Sequence, residues 1–210
     1  EFYKDKEMIK NIIFDMGNVL LEWKPAEIVA RFIDDPDRIQ KITHAVFENE
    51  LWAKLDRGES SEEEVREYAK KELPEEYHED IDEVLDNWQY CMPIISETST
   101  LVRYLHMKGF KVYLLSNANI KFVEVKRDLH CLKYMDGYMV SYREKCAKPS
   151  PEIYKKFLER FDLNPEECVF IDDLEANCEG AKKFGIDAIQ YKGDYTQLVD
   201  ELNRRGVEIV

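Results

Sequence analysis

The chain has 210 residues, with 30 Lys and Arg against 44 Asp and Glu, a formal net charge of −14. Such an excess of acids excludes a nucleic-acid partner or docking on anionic lipid, both of which need clustered Lys and Arg. It leaves small phosphorylated ligands open, because a few local groups suffice to bind them. With 44% hydrophobic residues the chain is too apolar for disorder and long enough for one or two domains with a buried core.

No apolar run approaches the roughly 18 residues of a membrane span. The first residues do not form a signal peptide, which needs an apolar stretch after a basic one. Met8, followed by Ile9-Lys10-Asn11-Ile12-Ile13, is expected to be the native start, with residues 1–7 an added leader. In chain order, Ile12-Ile13-Phe14 is a short apolar run that ends in Asp15. A block of helices follows. Pro25 to Arg31 presents Ile28, Val29 and Phe32, and Ile39, Ile42, Val46 and Phe47 recur at helical spacing. Ser60-Ser61 before Glu62-Glu63-Glu64 is an N-cap with acids in the first turn, and Val65, Tyr68 and Ala69 continue it as a stripe. Ile81, Val84, Leu85 and Trp88 form another stripe.

Strand and helix then alternate. Helices are predicted at Thr98 to Lys108, Pro151 to Phe161, Glu175 to Phe184 and Tyr195 to Arg204. Between them lie apolar runs at Val112–Leu115, Tyr138–Val140, Val169–Ile171 and Ala188–Tyr191. Short apolar strands separated by helices predict βαβ units and a parallel sheet covered on both faces. The fold class expected is α/β: a Rossmann-like parallel-sheet core made of residues 1–20 and 97–210, with an inserted all-α cap over residues 21–96.

The charge follows that division. Residues 22–96 hold 21 acids and 9 Lys or Arg, a net of −12, and the remainder holds 23 and 21, a net of −2. The run from Glu59 to Asp86, with 13 acids and 3 bases, reads as a solvated helical face; on the rim of a phosphate site it would repel the ligand. The five cysteines contain no Cys-x-x-Cys pair, which predicts reduced thiols in a cytoplasmic protein. The four histidines lack metal-ligand spacing and read as surface or packing residues.

In an open parallel sheet, ligands bind beyond the carboxyl ends of the strands. Four such ends carry polar residues here: Asp15, Ser116-Asn117, Lys148-Pro149 and Asp172-Asp173. Each alone is an ordinary turn or cap residue; the four together, along one sheet edge, predict a site. Carboxylates at neighbouring strand ends repel unless a cation lies between them, and hard oxygen donors without His or Cys favour Mg²⁺. Mg²⁺, Lys148 and the Ser116 hydroxyl are complementary to a phosphoryl group, beside which a carboxylate is a suitable nucleophile.

Asp15-Met16-Gly17-Asn18-Val19-Leu20, Leu115-Ser116-Asn117, Lys148-Pro149 and Asp172-Asp173 with Asn177 resemble the four motifs of the haloacid-dehalogenase-like superfamily. The inserted block resembles its type-1 helical cap. Asp-x-Gly-Asn-Val, the stretch from Lys148 to Tyr154, and Arg57-Gly58-Glu59-Ser60 are most similar to the sugar-phosphate phosphatases, in particular the α-D-glucose-1-phosphate phosphatase-like branch. The resemblance implies that Asp15 is the nucleophile, becoming aspartyl-phosphate, and a Mg²⁺ ligand. It implies further ligands in the Gly17 carbonyl and Asp172, with Asp173 supporting. Ser116 and Asn117 would face the phosphoryl oxygens, and Lys148 would neutralise charge between phosphate and Asp15.

Gly17 departs from the pattern, since most phosphatases of the superfamily carry an acid–base Asp there. Its loss predicts activity skewed to good leaving groups, because acid–base help is worth about 10²–10⁴-fold. Arg57 and Trp52 are the cap residues expected to touch substrate, ahead of Trp88 and Tyr90. The activity expected is Mg²⁺-dependent hydrolysis of a small phosphorylated metabolite, a sugar phosphate in first place, by a monomer or homodimer. Alternatives are a weak or inactive phosphate-binding protein, a dehalogenase and a phosphomutase.

Overall fold

The computed structural model describes residues 8–209. The leader expected at residues 1–7 lies outside the described residues. Five strands form one sheet: β1 (Asn11–Phe14), β2 (Lys111–Ser116), β3 (Gly137–Val140), β4 (Cys168–Asp172) and β5 (Asp187–Gln190). Their order is β3-β2-β1-β4-β5, and every pair is parallel. The central strand is β1, so the chain order reverses at it, and the crevice of such a sheet opens there.

Side-chain alternation explains why short apolar runs make this sheet. Ile12 and Phe14, with Val112, Leu114, Val169 and Ile171, enter one buried layer. Ile13, with Tyr113, Leu115 and Phe170, enters the layer on the other face. Helices Ser96–Met107, Pro151–Phe161, Glu175–Lys182 and Tyr195–Asn203 stand where the sequence predicts them, within two residues at each end. Phe122–Asp128 and the single turn Ser141–Glu144 are additional helices that the apolar spacing does not announce.

Between β1 and the helix starting at Ser96, the chain builds helices Pro25–Val29, Pro36–Phe47, Glu50–Asp56, Glu62–Glu72 and His78–Asn87. They bury a cluster of their own, including Ile28, Ile42, Val46, Trp52, Val65, Ile81 and Leu85. The N-cap predicted at Ser60-Ser61 falls on Ser61 and is completed as a capping box, with the Ser61 hydroxyl and the Glu64 carboxylate each accepting from the other's backbone N–H. The chain enters and leaves this block side by side: Glu22 N–H donates to Pro93 O at 2.8 Å and Ile95 N–H to Leu20 O at 2.9 Å. On the acidic face Arg66 lies among Asp82, Asp86, Glu62 and Glu63, so that face is partly paired rather than merely solvated.

A second junction joins the helical block to the core. The loop after helix Glu50–Asp56 rests on the turn Ser141–Glu144, where Lys145 Nζ donates to Gly58 O at 2.5 Å. Gly58 has φ +67°, and a Cβ there would lie 2.4 Å from Tyr142 O, so strain and clash act together. Gly58→Ala is expected to cost about 1–3 kcal/mol, read as a lower urea midpoint. An unchanged midpoint would show that the loop does not seat there.

Candidate active site

Sheet register brings the motif residues together. Phe14 pairs with Leu114 on one side and Ile171 on the other, so Asp15 and Asp172 emerge level from adjacent strands. Lys148 enters from the segment after β3, following the turn Ser141–Glu144, through a cis Lys148–Pro149 peptide. Its ammonium lies 2.7 Å from Asp15 Oδ1 and 2.6 Å from Asp172 Oδ2, and it donates to Leu115 O at 2.9 Å. The three side chains are 1%, 10% and 0% exposed for Lys148, Asp15 and Asp172.

Burial alone would push the Lys148 ammonium down, but the charges of Asp15 and Asp172 outweigh it and hold it above the ordinary lysine value. Burial pushes the Asp15 carboxyl up, Lys148 pulls it back and Asp172 adds to the rise, leaving it at about 7. Asp173 is raised as well, chiefly by burial. Its Oδ2 accepts from Asn18 Nδ2 at 3.1 Å, and Asn18 is held by its own left-handed turn (φ 55°) and by Trp23 N–H on its Oδ1.

Carboxylate oxygens of Asp15, Asp172 and Asp173 lie within 4.8 Å of one another. Three such groups against one ammonium leave an excess of negative charge, and the donors are all hard oxygens, so the set fits Mg²⁺. Asp15 and Asp173 open onto the site, as does Gly17. Asp172 is the most committed, accepting from Leu174 N–H, Asn177 Nδ2 and Lys148.

Asp15, Gly17, Lys148 and Asp173 floor a cavity of about 420 Å³, with Asp172 fully buried behind them. Its roof comes from the helical block: Trp23, Trp52 and Trp88, beside Phe122 and Met92. Trp52 stacks on Trp23 (5.9 Å, 23°) and meets Trp88 edge-on at 5.2 Å. Trp52 is therefore both core and cavity wall, and Trp88, ranked lower from sequence, lines the same wall.

Three of the expected residues stand differently. Arg57 does not line the cavity: one helical step past Asp56, its side chain points away from it and its guanidinium is held by Glu59 at 2.9 Å and Glu50 at 3.2 Å. Ser116 is buried behind the surface, its hydroxyl pointing at Asn117 O (3.4 Å), and Asn117 takes the lining position. The Asn117 side chain in turn grips the Lys148 backbone, donating to its O and accepting from its N–H, both at 2.9 Å. It positions Lys148 rather than offering a free amide. Among the described residues, none of the run from Glu59 to Asp86 lines the cavity. Sequence reasoning missed Asp56 and Asn119, which do line it.

A parallel α/β core with a carboxylate and a buried lysine paired at its carboxyl edge, beside an acidic cluster fit for a cation, is the arrangement of a phosphoryl-transfer hydrolase. A haloacid dehalogenase-like hydrolase model matches residues 9–185, and the chain belongs to that family. It is similar to a D-ribitol-5-phosphate phosphatase of Bacteroides thetaiotaomicron, 27% identical over 87% of this chain and 92% of that protein. It is also similar to a sesquiterpene phosphatase of Aspergillus oryzae, 26% identical over 84% and 87% of the two chains. A HAD family enzyme of Bacteroides thetaiotaomicron, solved with magnesium and inorganic phosphate, superposes with a TM-score of 0.66 at 26% identity, covering 90% of this chain and 98% of that one. The chain is a Mg²⁺-dependent phosphatase of the family.

Proposed function

We propose that this protein hydrolyses the phosphomonoester of a small metabolite through an aspartyl-phosphate on Asp15. The observation that carries the reading is the Asp15 carboxylate, held at 2.7 Å by a buried Lys148 and open to the cavity floor. Asp15 attacks phosphorus, while Lys148 offsets charge between nucleophile and phosphoryl oxygens and is kept in place by Asn117. Asp15, Asp173, Asp172 and the Gly17 carbonyl would hold Mg²⁺, which when bound supplies positive charge to the phosphoryl oxygens. Sugar phosphates are the substrate class supported best: a relative acts on D-ribitol 5-phosphate, and the indoles of Trp23, Trp52 and Trp88 give the cavity an aromatic wall against which a polyol or ring can pack. Five free cysteines suit a reducing, cytoplasmic setting.

The test is phosphate release from a panel of phosphorylated metabolites. Release is expected with Mg²⁺, to fall to background in excess EDTA, and to return when Mg²⁺ is added back. Turnover that persists in EDTA would sink the metal-dependent reading.

A further inference from the structure

Gly17 has no side chain to move protons, although the departing oxygen needs a proton and the attacking water needs a base. The cavity carries a carboxylate on its roof. Asp56 ends the helix Glu50–Asp56, the same helix that sets Trp52 in the aromatic wall, and it lines the cavity together with Asp15 and Lys148.

Its position is fixed from the core. Oδ1 accepts from Asn119 Nδ2 at 3.1 Å, and Asn119 is a buried residue of the loop leaving β2, two positions beyond Asn117. The Asp56 backbone carbonyl accepts from the Ser141 hydroxyl. The carboxylate is thus anchored to the same loop whose Asn117 positions Lys148. The charged groups around it are Arg57 on its own helix, Lys145 beneath Gly58, and Asp15 with Lys148 across the cavity; Arg57 is taken by Glu50 and Glu59, and Lys145 by Gly58 O. Burial pushes the Asp56 carboxyl up to about 7, against the hydrogen bond from Asn119 and the charge of Arg57. Both protonation states are therefore available at neutral pH, as a group that first gives and then takes a proton requires.

We propose that Asp56 is the general acid and base of the reaction, supplied by the helical block where Gly17 supplies nothing; the inference rests on the phosphatase reading above. In the first half, an Asp15 oxygen forms a bond to phosphorus. The bond from phosphorus to the leaving oxygen breaks, its electron pair stays on that oxygen, and the Asp56 carboxyl delivers the proton that makes it an alcohol. In the second half, the Asp56 carboxylate takes a proton from water. The water oxygen bonds to phosphorus, the acyl-phosphate P–O bond breaks, and its electron pair restores the Asp15 carboxylate.

The experiment compares p-nitrophenyl phosphate, which needs no acid, with glucose 6-phosphate, which does, in wild type, Asp56→Asn, Asp56→Glu and Asp15→Asn. For Asp56→Asn, kcat/KM on the alkyl ester should fall about 10²–10⁴-fold, and on the aryl ester by less than about tenfold. Its kcat on the aryl ester should also fall, with a burst of nitrophenol stoichiometric with enzyme as aspartyl-phosphate accumulates. Asp56→Glu should recover part of the alkyl activity. Asn still offers Asn119 an acceptor, so the fold should persist, and the melting temperature checks it. Equal kcat/KM losses on both esters without a burst, or a rise in KM alone, would overturn the proposal. If wild type hydrolyses neither ester with Mg²⁺, or Asp15→Asn retains activity, it is the phosphatase reading that fails.

Discussion

Asp15→Asn is expected to lower phosphate release by roughly 10³–10⁶-fold, as loss of a covalent nucleophile does. The amide nitrogen or oxygen of Asn is a poor nucleophile toward phosphorus, and no neighbouring carboxylate is placed to substitute. Asp172 has both oxygens engaged by Asn177, Leu174 N–H and Lys148, and Asp173 is held by Asn18. The substitution is close to isosteric, and its oxygen still accepts from the Lys148 ammonium. The fold should therefore survive, with a melting temperature close to wild type. Phosphate release and thermal unfolding, measured on the same preparation, check both halves. A variant that is folded and retains a tenth or more of wild-type turnover, a threshold of only about 1.4 kcal/mol in barrier, would remove Asp15 from the nucleophile role.

The floor of this site was legible in the sequence because each of its parts terminates a strand or opens a helix. Short apolar runs locate the strand ends, and parallel register then forces Asp15 and Asp172 side by side. The roof was not legible for the same kind of reason. Helix Glu50–Asp56 has seven residues, and only Trp52 and Leu55 are buried on it, too few to show a period. What places Asp56 is its pair of contacts with Asn119 and Ser141, with Lys145 holding the next turn at Gly58 O, all across more than sixty residues of chain, about which local spacing is silent. The same limit explains Arg57. Residue type made it the natural phosphate contact in the block, but Arg57 keeps the helical conformation one step past Asp56, so its side chain leaves about 100° round the axis from the cavity-lining acid and meets Glu50 and Glu59. Asn117 shows a finer version: its position next to the site was readable, whereas its grip on the Lys148 backbone depends on a partner thirty-one residues away.

Lys148→Met should be the most destabilising single change in the core of the site, by about 3–5 kcal/mol, because it strands buried charge. The ammonium is the shared counter-charge of two carboxylates that are almost wholly removed from water. Met fills a similar volume but leaves Asp15 and Asp172 facing each other, and it withdraws the donor from Leu115 O. One of the two carboxylates then has to take up a proton or draw in water, and either response is paid for in folding free energy. Urea unfolding at neutral pH measures the loss. The double variant Lys148→Met with Asp15→Asn should recover a substantial part of it, since removing one carboxylate relieves the repulsion that the first substitution exposed; such coupling is the signature of residues sharing one charge cluster. Simple additivity of the two substitutions, or a Lys148→Met midpoint equal to wild type, would mean that the buried triad does not carry the charge balance assigned to it. Phosphate release by Lys148→Met should meanwhile fall to near background, because without that ammonium the Asp15 carboxylate meets a dianionic phosphoryl group with one positive charge fewer beside it.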